Sequence, residues 1–179
     1  MTFTPLSCYA ANNMPSGITV SAAATWMDDG ELRLEYRLNG AIETLRMPTA
    51  ATAKAIDGLW HHTCCEAFIA ARGASTYREF NFSPSTQWAA YHFGTYRQRD
   101  TVWLPSASPT ISLLTEVDGI QLVAHIPASL LPAAASLDLG LTTILETHAG
   151  DKSYWALRHC GQQPDFHLRD SFTLHLTRP

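Results

Sequence analysis

Residues 57–97 read DGLWHHTCCEAFIAARGASTYREFNFSPSTQWAAYHFGTYR, and the fold is decided here. Residues 64–71 form a short apolar run interrupted only by Glu66, the length and composition of a strand. Residues 77–83 alternate Phe80 and Phe82 against Tyr77, Glu79, Asn81 and Ser83, the period of two that puts successive side chains on opposite faces of a sheet. Ser83-Pro84-Ser85 breaks the pattern, and residues 87–93 resume it as a third strand. The reading expects Phe68, Phe80 and Phe82 in a core, with Glu79 and Asn81 on the opposite face.

The flanking sequence extends the same pattern. Residues 17–26 are strand-like, Asp28-Asp29-Gly30 turns the chain, and residues 31–38 alternate Leu32, Leu34, Tyr36 and Leu38 against Arg33, Glu35 and Arg37. Residues 42–47 read as a short further strand, and the Ala/Thr-rich stretch to Ile56 as a connection. Asp118-Gly119 between residues 110–117 and 120–126 is the strongest hairpin signal in the chain. Residues 127–132 predict one helical turn, 137–148 and 153–158 two strands joined at Ala149-Gly150-Asp151, and 172–176 the last strand. About eleven or twelve strands and no helix of about ten residues or more predict an all-β fold, an antiparallel β-sandwich of jelly-roll type with two sheets. At 179 residues the chain is expected to form one domain spanning 1–179.

Composition narrows the function. The net charge is -4, with twelve Lys plus Arg, of which Lys54 and Lys152 are the lysines; so few cations give little for neutralising phosphates, and neither nucleic acid nor a membrane surface is an expected partner. The N-terminus shows no basic segment followed by an apolar one, and no window reaches the length of a membrane-spanning helix, so a cytoplasmic location is expected. Cys8, Cys64, Cys65 and Cys160 read as free thiols, because adjacent Cys64 and Cys65 in a strand point to opposite faces.

Four kinds of chemistry are open to these residues. His61, His62, Cys64 and Cys65 are zinc-ligating types, but their spacing is not that of two ligand pairs, so no metal site is assigned. Haem ligation by a methionine such as Met14, Met27 or Met47 finds no evident histidine partner, and no cofactor is expected. Glu66 with Glu79 or Glu146 supplies the two carboxyls that glycoside hydrolysis needs, although no nucleophile elbow, phosphate loop or zinc-hydrolase motif is present. Aromatic faces stack on the C–H faces of sugar rings while carboxylate, amide and guanidinium groups meet the hydroxyls. On that logic Trp60, Glu66, Glu79, Asn81, Arg97, Glu146, Trp155 and Arg158 are the candidate ligand-binding residues, and no catalytic residue is assigned.

The run Leu59-Trp60, Cys64-Cys65-Glu66-Ala67-Phe68-Ile69, Tyr77-Arg78-Glu79-Phe80-Asn81-Phe82-Ser83-Pro84-Ser85 and Trp88-Ala89-Ala90-Tyr91 resembles the DOMON-like branch of the superfamily that contains carbohydrate-binding module family 9. Leu139-Gly140-Leu141-Thr142, Ser153-Tyr154-Trp155-Ala156-Leu157 and Pro164-Asp165-Phe166-His167 continue the likeness. It implies two antiparallel sheets with a ligand site on one concave face, in a bacterial protein that binds a saccharide without turning it over. It also implies a tryptophan pair, Trp60 and Trp155, sandwiching a sugar, with Glu66 six residues after Trp60 accepting from its hydroxyls. A glycan-processing enzyme built on Glu66 and a second carboxylate, and a haem- or metal-binding relative, are the alternatives.

Overall fold

A computed structural model describes residues 2–9 and 17–179; Asn12, Asn13, Met14 and Pro15 of the leader lie outside the described residues. Thirteen strands, numbered in chain order, make two sheets whose ladders are antiparallel. The first sheet runs β1 (Thr4–Pro5), β3 (Thr19–Trp26), β4 (Leu32–Asn39), β10 (Gly119–Ile126), β9 (Thr110–Glu116). The second runs β2 (Ser7–Cys8), β12 (Lys152–Ala156), β11 (Ser136–Glu146), β5 (Cys64–Ala71), β6 (Tyr77–Phe82), β7 (Trp88–Thr95), β8 (Gln98–Arg99). β13 (Leu174–Thr177) pairs with the first half of β11, and β12 with its second half.

The alternation read from the sequence fixes what each face does. In β4, Leu32, Leu34, Tyr36 and Leu38 are all buried and point at the second sheet, where Cys65, Ala67, Ile69, Phe80, Phe82, Leu139, Leu141 and Trp155 meet them in one apolar cluster. Burial of this face is the main driving force for pairing the sheets, at roughly 25 cal/mol per Å² of apolar surface removed from water. Tyr36 crosses the interface and donates its hydroxyl proton to the backbone carbonyl of Glu66 at 2.6 Å, so its polar end is satisfied inside the core.

Two local expectations are corrected. Residues 42–47 are not a strand: Ile42–Thr44 is a 3-10 turn, and only Leu45 makes an isolated bridge, to Thr147. Phe68 does not join Phe80 and Phe82, because it shares the parity of Glu66 and so faces away from the sheet interface. It packs there with Tyr77, Phe93, Phe166 and Phe172 in a second cluster on the outer side of the larger sheet. Around Phe68 both faces of this sheet are therefore covered, which is why residues 64–71 read as an apolar run interrupted only by Glu66 rather than as an alternation. The helical turn expected at 127–132 is present as Ala128–Leu130. Among the described residues no helix is long and apolar enough to cross a membrane.

Candidate functional site

The outer face of the larger sheet is only partly covered, and what is left open is a cavity of about 670 Å³. Its floor is a consequence of register. Glu66 stands opposite Asn81 and Thr142, and Phe68 opposite Glu79, so Glu66 and Glu79 are diagonal neighbours on adjacent strands and the same face. Tyr91 and Phe93 continue the floor from β7, and Ile144, Lys152 and Tyr154 from β11 and β12. The walls are two covering segments: residues 57–61, and residues 164–167, which bring Pro164, Phe166 and His167.

Trp60 reaches the rim because of a glycine. Gly58 has φ +78°, a left-handed conformation, and an added Cβ there would stand 3.2 Å from the His61 ring; a side chain is disfavoured on both counts. The chain can then turn into the Leu59–His61 3-10 segment against β5 and β6. Trp60 keeps 45% of its surface exposed, and its ring lies on that of His61 with centroids 3.7 Å apart. Asp57 anchors the start of the turn through the Tyr91 hydroxyl and through Arg99, whose guanidinium also lies 4.1 Å over the Tyr91 ring.

The floor carries two buried carboxyls. Glu66 is 2% and Glu79 5% exposed. Burial, then the neighbouring Glu79, holds the Glu66 carboxyl well above the usual range, against the pull of a 3.1 Å hydrogen bond from Thr142. Burial pushes Glu79 up to about 7, opposed by the Asn81 amide, which donates to it at 2.8 Å, and by the Arg97 and Arg99 charges. His167 stands 3.8 Å from Glu79, and burial followed by the Arg97 charge pushes it down to about 4. Each guanidinium at the cavity has another carboxylate of its own: Arg97 bonds Asp165 at 2.9 Å and Arg99 reaches Asp57 at 3.5 Å.

Of the eight residues singled out in the sequence, Trp60, Glu66, Glu79 and Arg97 line this cavity. Asn81 is fully buried beneath them, with its amide nitrogen on Glu79 and its carbonyl oxygen without a protein partner. Glu146 lies further along β11, bonded to His62 at 2.7 Å and near Arg46. Arg158 borders a separate, shallower hollow beside Arg169 and Asp138. Trp155 requires a correction: it is 4% exposed, packs between the sheets, and donates its indole N–H to Ser153 at 3.0 Å. In β12 the residues facing outward are Lys152, Tyr154 and Ala156, so Tyr154 takes the place the reading gave to Trp155.

Tyr154, Tyr91, His167 and Phe166 were not among the sequence candidates. For the tyrosines the usable signal is parity, since both lie on strands in phase with Glu66 and Glu79 once the pairings are known. His167 sits in an irregular segment whose path over the sheet has no periodic signature. Cys64 and Cys65 point to opposite faces as expected, all four cysteines are free, and among the described residues no three His, Cys, Asp or Glu gather as a metal site.

The sequence matches no known family model, and no curated protein is significantly similar. Solved structures are similar in fold. A Bacteroides uniformis protein named a "putative carbohydrate-binding protein" superposes with TM-score 0.70 at 18% identity, over 98% of this chain and 85% of its own. A carbohydrate-binding module of family 9 from Caldicellulosiruptor kristjanssonii, in complex with glucose, gives TM-score 0.62 at 8% identity over 96% and 82%. The module from the same organism in complex with cellotriose gives 0.57 at 10% over 87% and 72%. At these identities the likeness establishes the shared two-sheet architecture.

Proposed function

We propose that this chain, acting as one unit over 1–179, binds a saccharide in the outer-face cavity without turning it over. The observation that carries the reading is the composition of that cavity: a half-exposed tryptophan at the rim, Phe166 in its wall, and Tyr154 and two buried carboxyls on its floor. A volume of about 670 Å³ is of the size that small-molecule sites use. Trp60 and Tyr154 offer ring faces to the C–H side of a pyranose, and Glu66, Glu79 and Arg97 meet its hydroxyls. The fold neighbours that hold glucose and cellotriose support this choice of ligand class, as does the DOMON-like resemblance of the sequence.

A soluble glycan panel read by titration calorimetry tests it. A saccharide should bind at micromolar to millimolar concentration, and Trp60→Ala and Tyr154→Ala should each weaken it roughly tenfold or more, about the loss of one stacking contact. If no saccharide binds at millimolar concentration, or both variants bind as wild type does, the reading fails.

One observation favours a second reading. Two buried carboxyls with raised proton affinity on adjacent strands are the parts of a general acid and general base. Turnover of a reporter glycoside that disappears in Glu66→Gln would establish an enzyme; binding without turnover in the same preparation would reject it.

A further inference from the structure

A buried tyrosine has one hydroxyl proton to place, and at Tyr77 the structure leaves one destination. Tyr77 is 1% exposed, and its oxygen already accepts the backbone N–H of Arg97 at 3.0 Å. Its other neighbour is Nδ1 of His167, at 2.8 Å. The hydroxyl proton therefore goes to Nδ1, which acts as the acceptor, and a neutral imidazole that accepts at Nδ1 carries its proton at Nε2. The imidazole is held neutral by its burial against Phe68, Tyr77 and Phe93 and by the nearby Arg97 charge.

Nε2 faces Oε2 of Glu79 across 3.8 Å. That gap is too long for a hydrogen bond between them. It suits one oxygen atom that accepts from Nε2–H and donates to Oε2, the role a bridging water or ligand hydroxyl plays. The other oxygen of Glu79 is occupied by Asn81, so Oε2 is the one left to the cavity. His167 and Glu79 both line the cavity.

We infer that His167, fixed as its Nε2–H tautomer by Tyr77, and Glu79 together grip a single free hydroxyl of the ligand, so that the site requires at one ring position a group that both accepts and donates a hydrogen bond. The inference rests on the saccharide reading of the cavity and deepens it. A deoxy sugar offers neither function at that position, and an O-methyl ether accepts without donating; both are rejected there, because each leaves a buried polar group unpaired. His167 contacts the ligand in this scheme, and Tyr77 is a positioning residue.

The test has a spectroscopic arm that needs no ligand. In 15N-labelled protein at pH 8, long-range 1H–15N spectra should show the His167 ring protonated at Nε2 alone, and Tyr77→Phe should convert it to a mixture of tautomers. In the binding arm, glucose is compared with its monodeoxy and mono-O-methyl derivatives by calorimetry. One ring position should lose about tenfold or more in both derivatives. His167→Gln, whose amide places an N–H near the Nε2 position, should keep most of the affinity, while His167→Phe should lose about tenfold, with circular dichroism confirming that both variants fold. A ring protonated at Nδ1, or equal binding by the Gln and Phe variants, overturns the inference and leaves saccharide binding standing. Where glucose does not bind, the deoxy and O-methyl derivatives are those of whichever saccharide of the glycan panel does; should no saccharide of that panel bind while the Nε2–H signature is present, it is the saccharide reading that falls, and the hydroxyl grip with it.

Discussion

Tyr36 and Glu66 belong to opposite sheets, yet the Tyr36 hydroxyl donates to the Glu66 carbonyl oxygen at 2.6 Å. The backbone that presents Glu66 outward is thus held from behind, through the core, by a residue of the other sheet. Tyr36→Phe removes this bond while keeping the ring, and should cost about 1 kcal/mol in urea denaturation. A loss within error of zero would mean that the bond contributes nothing net.

The two tryptophans of the original candidate pair should separate cleanly in stability measurements. Trp155→Ala opens a void between the sheets and should destabilise the protein by about 3 to 5 kcal/mol. Trp60→Ala removes a half-exposed ring and should change stability by about 0.5 kcal/mol or less. Equal effects would contradict the placement of one in the core and the other at the rim.

The sign of the pH dependence follows from opposed groups, Glu66 and Glu79 raised and His167 lowered. Glu79 is pushed up from the ordinary carboxyl value of 4.5 to about 7, so the folded state holds its proton more tightly than the unfolded one. Its stabilising contribution is fully present below about 4.5 and is lost as pH rises through about 7, a change on the order of 3 kcal/mol. His167 is pushed down from 6.5 to about 4, so its contribution is present above about 6.5 and is lost as pH falls through about 4. Because the raised carboxyls and His167 partly offset each other in the wild type, the informative quantity is the difference from Glu79→Gln. That variant should gain stability over the wild type as pH is raised from 5 to 8, as read from urea midpoints. A constant difference across this range would remove Glu79 from the account.

The thiols should react in the order of their exposure. Cys160 is exposed, whereas Cys64 and Cys65 are buried, with burial raising Cys65 to about 12 and Cys64 well above its usual value. A thiolate is the reactive species, so an aromatic disulfide reagent should label Cys160 fast and Cys64 and Cys65 only after unfolding. Cys160→Ser should abolish the fast phase.

The parts of this molecule that were readable from the chain are those where the two faces of a strand differ in polarity. Leu32, Leu34, Tyr36 and Leu38 against Arg33 and Arg37, or Phe80 and Phe82 against Glu79 and Asn81, announce both strand and facing. Where both faces are covered the signal vanishes, and that is why Phe68 reads as a partner of Phe80 and Phe82 while sitting two residues from Glu66. Tyr154 and Trp155 present the same difficulty more sharply. Two adjacent aromatics must point in opposite directions, and which one meets the cavity depends on Ile144 standing opposite Tyr154 in β11, a pairing that nothing local encodes. His167 arrives on an irregular segment placed by the fold as a whole, beyond the reach of any periodicity argument.

The parity that divides β5, β6 and β12 between two environments gives the protein two nearly independent alphabets. Positions 65, 80 and 155 pack between the sheets, while their neighbours 66, 79 and 154 face the cavity proposed to take a saccharide. A combinatorial library confined to the second set would therefore vary the proposed site while leaving the packing between the sheets intact. A single-residue insertion within β5 would exchange the two sets along the rest of the strand and forfeit both at once.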